Sequence, residues 1–136
     1  SKLTRFLQRN SKRGSRKNIA NHYDLGNNFF LEWLDSTMTY SSALFTDKKE
    51  ELNIAQNKKY QRIIDKLDIK VSQNILEIGC GWGGFSEYTA HRTGSNILGI
   101  TISREQYDFA VKRIDRANLA EKVAISLQDY REVTGQ

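Results

Sequence analysis

The chain has 136 residues, of which 38% are hydrophobic and 27% charged, and its formal net charge is +5. This length allows at most one domain with a modest core, and no apolar run approaches the roughly 18 residues that a membrane-spanning helix needs. The single cysteine, Cys80, excludes an internal disulfide and fits a reducing cytoplasm.

Residues 1–17 form a basic arm, with seven lysines and arginines and no acidic residue, whereas the remaining 14 basic and 16 acidic residues nearly cancel. Within the arm, Leu3, Phe6 and Leu7 share one face of a short predicted helix, which Gly14 interrupts. The arm indicates a polyanionic partner, either an anionic membrane surface or nucleic acid. A solvated terminal helix or tail explains the same charges equally well.

Residues 18–70 are predicted to form a helical cap and lid region. Its first part is rich in aromatic side chains, which either pack as a cap over a sheet or cover a cationic ligand. Asp47 to Ile69 then has the apolar period of a long helix. The lysines on its other face, including Lys58 and Lys59, are expected to be solvated.

The stretch Asn74 to Phe85 reads N-I-L-E-I-G-C-G-W-G-G-F, which predicts a strand, a glycine turn and the start of a helix that runs to Arg92. Glycines at this spacing allow positive φ and let backbone N–H groups approach a ligand, and the helix N-terminus adds partial positive charge. The turn therefore indicates a site for a nucleotide-type cofactor. Because an acidic residue stands two positions before the first glycine, the pattern resembles the first motif of class I S-adenosylmethionine (SAM) methyltransferases.

Two more strands are predicted, from Ile97 to Thr101 and from Val123 to Leu127. Between them a helix runs to Arg116, and Ser103-x-x-Gln106 has the spacing of a capping box at its start. This order predicts that residues 71–136 form an α/β domain with about three parallel strands. Ligands bind at the carboxyl ends of such strands, where the glycine turn and the two segments after the later strands all fall.

Residues 14–45 read G-S-R-K-N-I-A-N-H-Y-D-L-G-N-N-F-F-L-E-W-L-D-S-T-M-T-Y-S-S-A-L-F, and this segment resembles the signature of cyclopropane fatty acid synthases. That family includes the mycolic acid cyclopropane synthases and related SAM-dependent lipid methyltransferases, and the resemblance extends to Arg131. It implies an N-terminal helical cap followed by the first half of a Rossmann-like SAM-dependent methyltransferase sheet. The chain stops soon after the third strand, so we expect a truncated form in which the first strand has a bare edge.

The resemblance implies the roles of individual residues by matching positions. Cofactor-binding roles fall on Tyr40 and Ser41 at the methionine part, Glu77, Gly79, Gly81 and Gly83 in the first motif, Thr101, Ser103 and Gln106 at the ribose, and Asp129, Tyr130 and Arg131 at the adenine. The backbone of Ser42 would help to hold bicarbonate, at a position where the family often has cysteine. No metal site is expected.

The implied activity is transfer of a methylene group from SAM to a cis double bond of an unsaturated phospholipid acyl chain, with bicarbonate as the base that removes a proton. Two alternatives remain open, namely a C- or N-methyltransferase of the same superfamily and a non-catalytic fragment that binds membrane or RNA. We expect a cytoplasmic protein at the inner membrane surface, in contact with phospholipid through the basic arm and without a nucleic-acid partner. The bare strand edge also allows a homodimer.

Overall fold

The computed structural model of the chain describes residues 26–134. Its elements, in chain order, are α1 (Gly26–Leu31), α2 (Leu52–Leu67), β1 (Asn74–Ile78), α3 (Gly84–Thr93), β2 (Asn96–Thr101), α4 (Arg104–Arg116), β3 (Val123–Leu127) and a 3₁₀ turn at Tyr130–Glu132. The basic arm and its predicted helix lie outside the described residues. Within residues 26–134, no helix is both long enough and apolar enough to cross a bilayer.

The three strands form one parallel sheet in the order β1-β2-β3, which confirms the predicted α/β architecture. Leu76 of β1 lies beside Leu98 of β2, which in turn lies beside Ala124 of β3. Because β2 is central, β1 lies at an edge of this sheet, as expected. The three carboxyl ends point the same way, so the loops that follow the strands come together at one end.

The main hydrophobic core lies between one face of the sheet and helices α3 and α4. Its buried members are Ala90 of α3, Ile114 of α4, Ile97 of β2 and Val123 of β3. The alternate residues of β1 face the other way, and Leu76 and Ile78 are 44% and 60% exposed. The helices therefore cover one face of the sheet and leave β1 open on the other.

A second, smaller cluster joins the cap to the glycine turn. Phe30 of α1, Met38 and Trp82 are buried together, and the indole Nε1 of Trp82 donates a hydrogen bond to Asn27 Oδ1 at 2.7 Å. Between α1 and α2 the chain is irregular. The cap is thus held by aromatic packing and side-chain hydrogen bonds more than by regular helix.

Helix α2 starts five residues later than its apolar period predicts, and the segment from Asp47 to Glu51 is a turn instead. Asp47 Oδ1 accepts a hydrogen bond from the backbone N–H of Lys49 at 2.7 Å, and Glu51 is the extended N-cap residue. Short acidic side chains compete in this way with helical backbone hydrogen bonds. The predicted end at Ile69 is also late, because Asp68 adopts a left-handed conformation with φ of 49°.

Candidate functional site

A cleft of about 750 Å³ lies where the carboxyl ends of the strands meet the cap and helix α2. Ten of the thirteen predicted site residues line it: Tyr40, Ser41, Glu77, Gly79, Gly81, Thr101, Gln106, Asp129, Tyr130 and Arg131. These residues come from the cap and from the loops after all three strands. The predicted meeting of these segments at one edge of the sheet is therefore observed.

The glycine turn forms the floor of the cleft beside β1. The backbone N–H groups of Gly79 and Cys80 both donate to the carbonyl oxygen of Ile100 at 2.9 Å, which ties the turn to β2. Gly79 and Gly81 have φ of +80° and +56°, and apart from each glycine and its two chain neighbours no described residue has a heavy atom within 4 Å of the position that a Cβ would take. The turn is thus an open cradle that side chains would fill, which fits close approach of a ligand to the backbone.

Glu77 lies in β1 immediately before this turn, and its carboxylate accepts a hydrogen bond from the hydroxyl of Ser86 in α3. Burial raises the pKa of Glu77 from 4.5 to about 7, although the Ser86 hydrogen bond lowers it. Burial disfavours the charged form of a carboxyl group. A cationic ligand group beside Glu77 would counter this effect by stabilising the carboxylate.

The first turn of α4 presents Gln106 to the cleft. Ser103 is the N-cap of α4, and its Oγ accepts from the backbone N–H of Gln106 at 3.3 Å, as the predicted capping box requires. The side chain of Gln106 does not return to Ser103, because its Oε1 accepts instead from Thr101 Oγ1 at 2.9 Å. Its amide nitrogen has no hydrogen-bond partner among residues 26–134 and remains able to donate to a ligand.

The third group of lining residues follows β3. Asp129 is buried, and its carboxylate accepts hydrogen bonds from the backbone N–H and the guanidinium Nε of Arg131 at 3.0 and 2.8 Å. The Arg131 guanidinium also lies over the ring of Tyr130, 5.6 Å from its centroid. Tyr130 is 57% exposed. This segment therefore offers the cleft a flat aromatic surface beside a neutralised ion pair.

The opposite wall consists of Tyr40 and Ser41 from the cap. The ring of Tyr40 lies 5.6 Å from that of Phe30 and 5.4 Å from that of Trp33, so aromatic neighbours fix its position at the mouth of the cleft. The cap packing expected of the aromatic segment is observed, whereas cover of a cationic ligand stays a prediction. Phe30 packs in the cap core, whereas Tyr40 lines the cleft.

Helix α2 supports this wall through Gln56 and Lys59. Gln56 Nε2 donates to the Ser41 carbonyl at 2.8 Å, and Lys59 Nζ contacts Ser41 Oγ at 2.8 Å and the Ser42 carbonyl at 3.1 Å. The prediction that Lys59 is merely solvated is wrong, because this side chain lines the cleft. Lys58 instead points away from the cleft and pairs with Glu50.

Three predicted site residues do not line the cleft, namely Ser42, Gly83 and Ser103. Gly83 lies where a Cβ would be 3.2 Å from the Cβ of Ala110 in α4, so its lack of a side chain lets the turn pack against that helix. Ser103 caps α4 as described above. Ser42 contributes its carbonyl to Lys59, and its backbone N–H has no partner within the described part of the chain.

Cys80 lies within the glycine turn but is 5% exposed. Burial and, to a lesser extent, the charge of Glu77 raise the pKa of its thiol to about 12. A thiol in this state is protonated near neutral pH and does not act as a nucleophile. Cys80 is therefore a small packed residue of the turn.

Sequence reasoning missed a chain of hydrogen-bonded side chains in the cleft wall. It runs from Asp35 through the hydroxyls of Thr37 and Thr39 to the phenol of Tyr60 in α2. Burial raises the pKa of Tyr60, so this group remains a neutral hydrogen-bonding partner. The available signal was the spacing of Gln56, Tyr60 and Ile64, which places two polar groups on the buried face of α2.

No group of three or more His, Cys, Asp or Glu residues that could hold a metal ion occurs between residues 26 and 134.

The parallel sheet, the glycine cradle and the cleft at the strand ends define a Rossmann-like domain of the methyltransferase class. The chain belongs to the mycolic acid cyclopropane synthetase family, whose model matches residues 10–136.

Individual relatives agree with this family. The chain is 42% identical over 133 residues to the tuberculostearic acid methyltransferase UfaA1 of Mycobacterium tuberculosis, covering 93% of this chain and 31% of that protein. It is 42% identical over 115 residues to the cyclopropane-fatty-acyl-phospholipid synthase of Escherichia coli K12, covering 85% of this chain and 29% of that protein. The chain therefore spans about a third of the length of these curated relatives.

Among solved structures, the chain resembles the mycolic acid cyclopropane synthase CmaA1 complexed with SAH and CTAB. The TM-score is 0.83 at 28% sequence identity, and the alignment covers 88% of this chain and 42% of that one. Residues outside the cap make up less than two thirds of the chain. An alignment that covers 88% of the chain must therefore include residues of the cap as well as the sheet.

Proposed function

We propose that the cleft binds SAM and that the chain supplies the cofactor-binding part of a cyclopropane-synthase-type methyltransferase. The observation that carries this proposal is the open cradle at Gly79 and Gly81, which faces Tyr40 across the same cleft. The related CmaA1 structure holds SAH, the demethylated form of SAM, which supports the choice of ligand.

The methionine end of SAM would lie between the glycine cradle and the cap. Glu77 would accept hydrogen bonds from its ammonium group, and the ammonium would in turn favour the charged carboxylate. Tyr40 is anchored by neighbouring rings. Its π face would stabilise the sulfonium by ~0.5–2 kcal/mol if the cation lies within about 6 Å.

The adenosine end would extend along the carboxyl ends of β2 and β3. Gln106 would hold the ribose through its amide nitrogen, because Thr101 already occupies the amide oxygen. The exposed ring of Tyr130 would provide a stacking surface for the adenine. The pair of Asp129 and Arg131 fixes the backbone of that segment and thereby the position of the ring.

Calorimetric titration of SAH into the chain tests the cofactor assignment. We expect saturable binding at one site, and we expect Gly79→Val to abolish it, because a branched side chain would fill the cradle and disfavour the φ of +80° at this position. Circular dichroism of the variant should still show the folded chain. A folded wild-type chain that does not bind SAH at millimolar concentration would contradict the proposal.

For the acceptor we propose a cis double bond in the acyl chain of an unsaturated phospholipid, in line with the name of the Escherichia coli relative. When bound, SAM supplies an electrophilic methyl group that the two alkene electrons can attack. The alkene is a weak nucleophile, so the protein must hold it in line with the carbon–sulfur bond and exclude water. Bicarbonate, held partly by the backbone N–H of Ser42, which has no partner among residues 26–134, would accept the proton whose loss closes the ring.

Isotope transfer distinguishes this acceptor from the alternatives. We expect the protein, incubated with methyl-¹³C SAM and vesicles of a cis-monounsaturated phospholipid, to place the label in a saturated three-membered ring. Carbon NMR separates ring carbon from a methyl group on nitrogen or an exocyclic methylene, although all three add the same CH₂ mass. Vesicles of a fully saturated phospholipid are the control, and label in their headgroup would favour an N-methyltransferase instead.

We propose that the chain acts at the inner surface of the cytoplasmic membrane, because its basic arm carries a high positive charge. The seven basic residues of the arm would attract the anionic inner surface of the cytoplasmic membrane, where each contributes about 1 kcal/mol near the surface. This would bring the cleft to its lipid acceptor. The outer edge of β1 has no neighbouring strand among residues 26–134, and we propose it as the contact surface of a homodimer.

A further inference from the structure

Only some of the acidic and basic side chains that line the cleft form ion pairs with one another. Four such residues are present, and two of them, Asp129 and Arg131, form an ion pair. The other two are Lys59 and Glu77, and neither makes an ion pair within residues 26–134. The cleft therefore has one basic and one acidic group available to a ligand.

Among residues 26–134, only uncharged groups contact the Lys59 ammonium. Its Nζ lies 2.8 Å from Ser41 Oγ and 3.1 Å from the Ser42 carbonyl, and the lysine is half-buried. Asp35 is the acid whose charge acts on it, but both Asp35 oxygens accept hydrogen bonds from Thr37. Partial burial lowers the pKa of the Lys59 ammonium, which shows that its present surroundings solvate the charge poorly.

We propose that Lys59, together with Ser41, binds the carboxylate at the amino-acid end of SAM. This inference rests on the proposed function and adds a contact to it. The end group of SAM is a zwitterion, and its ammonium and carboxylate match the two unpaired charges of the cleft, Glu77 and Lys59. A charge-assisted hydrogen bond from an ammonium to a carboxylate is stronger than those that Lys59 makes to its neutral partners.

Lys59 also has a structural role, because its two hydrogen bonds fix the cap wall against α2. Loss of that role would lower the affinity of every ligand that contacts the wall, whatever its end group. A direct contact to the carboxylate predicts something narrower. Only ligands that carry the carboxylate should lose affinity when the charge of Lys59 is removed.

Two ligands separate these roles, namely SAH and 5′-methylthioadenosine, which keeps the adenosine and the thioether but lacks the amino-acid group. With Lys59→Met, we expect the affinity for SAH to fall about 10-fold to 100-fold, the usual effect of losing a hydrogen bond to a charged group. The affinity for 5′-methylthioadenosine should change less than about 3-fold. Calorimetry measures both, and binding of the second ligand also shows that the variant is folded.

Lys58→Met is the matched control, because its neighbouring ammonium pairs with Glu50 outside the cleft. Lys58→Met should leave the ratio of the two affinities unchanged. Lys59→Arg should bind SAH more tightly than Lys59→Met does, because it restores the positive charge. Equal losses for both ligands with Lys59→Met would overturn the inference and leave Lys59 as a support of the wall. Failure of the wild-type chain to bind SAH would instead overturn the proposed function itself.

Discussion

Arg113→Met is expected to destabilise the chain by about 2–4 kcal/mol, since it removes a charged side chain that joins three parts of the structure. From α4, Arg113 donates to the Thr37 carbonyl at 2.8 Å and the Ser36 carbonyl at 3.4 Å in the cap, and it pairs with Glu87 of α3. The side chain of Arg113 is 16% exposed and that of Glu87 31%. The substitution leaves both a carboxylate and the buried Thr37 carbonyl without their partner.

Urea unfolding followed by circular dichroism measures this change in the free energy of unfolding. Arg104→Met is the matched control on the same helix, because Arg104 forms an exposed ion pair with Asp108 at 3.7 Å. Such surface pairs contribute less than about 1 kcal/mol. Equal effects of the two substitutions would show that Arg113 does not hold the cap in place.

Arg113→Met should also loosen the cap near Trp82, whose carbonyl lies 3.5 Å from the Arg113 guanidinium. Trp82 is 2% exposed and belongs to the cluster that joins cap and turn. A red shift of its fluorescence before global unfolding would therefore report a detached cap. Because Tyr40 and Ser41 belong to this cap, Arg113 determines the shape of the cleft without lining it.

The strands could be predicted from the sequence to within a residue. Buried parallel strands are short continuous apolar runs, and here glycine or polar residues bound each run, as in the strand Val123–Leu127. The helix starts were less certain. Ser103 supplied a cap that the sequence shows directly, whereas the turn at Asp47 depends on a side chain that bonds its own backbone.

The floor of the cleft was predictable for a related reason. In a parallel sheet every strand delivers its next residues to the same edge, so Gly79, Thr101 and Asp129 had to meet there once the strands were assigned. The hydrogen-bond partners of these residues could not be predicted in the same way. The hydrogen bonds among Thr101, Ser103 and Gln106 depend on side-chain rotamers, which the spacing of residues does not specify.

The wall contributed by α2 could not be predicted from the strands. Lys59 lines the cleft and Gln56 supports its wall through contacts with a cap segment some 15 to 18 residues earlier in the chain, and sequence periodicity contains no information about such tertiary pairings. The same applies to Arg113, which contacts carbonyls 76 and 77 residues away. Backbone carbonyls are present at every residue, so no motif marks the ones that a distant side chain will bind.

These contacts explain why the cap and the sheet act as one site. Helix α2 supports the wall at Ser41 and α4 supports it at Thr37, while Trp82 carries the glycine turn into the cap core. The two sides of the cleft are therefore joined by packed and hydrogen-bonded side chains on three elements. A substitution in this network should change ligand affinity even where it leaves every lining residue intact.

Glu77→Gln is expected to stabilise the chain at pH 8 and to weaken SAH binding at the same pH. The folded state raises the pKa of Glu77 from 4.5 to about 7, so between these values the native chain holds a proton that the unfolded chain has lost. Wild-type stability should therefore fall as the pH rises through this window, and the full difference corresponds to about 3 kcal/mol. Glutamine stays neutral and avoids that cost while keeping an oxygen for the Ser86 hydroxyl.

Unfolding free energies of the wild type and the variant at pH 5 and pH 8 measure the effect. We expect a gain of about 1–3 kcal/mol for Glu77→Gln at pH 8 and little gain at pH 5, where Glu77 is already mostly protonated in the folded chain. A gain of the same size at both values would show that charge burial is not its cause. SAH affinity at pH 8 should fall about 10-fold, because the variant lacks the carboxylate that would pair with the ligand ammonium. A variant that is more stable yet binds less well would show that the chain retains a partly buried carboxylate for its ligand at the expense of stability.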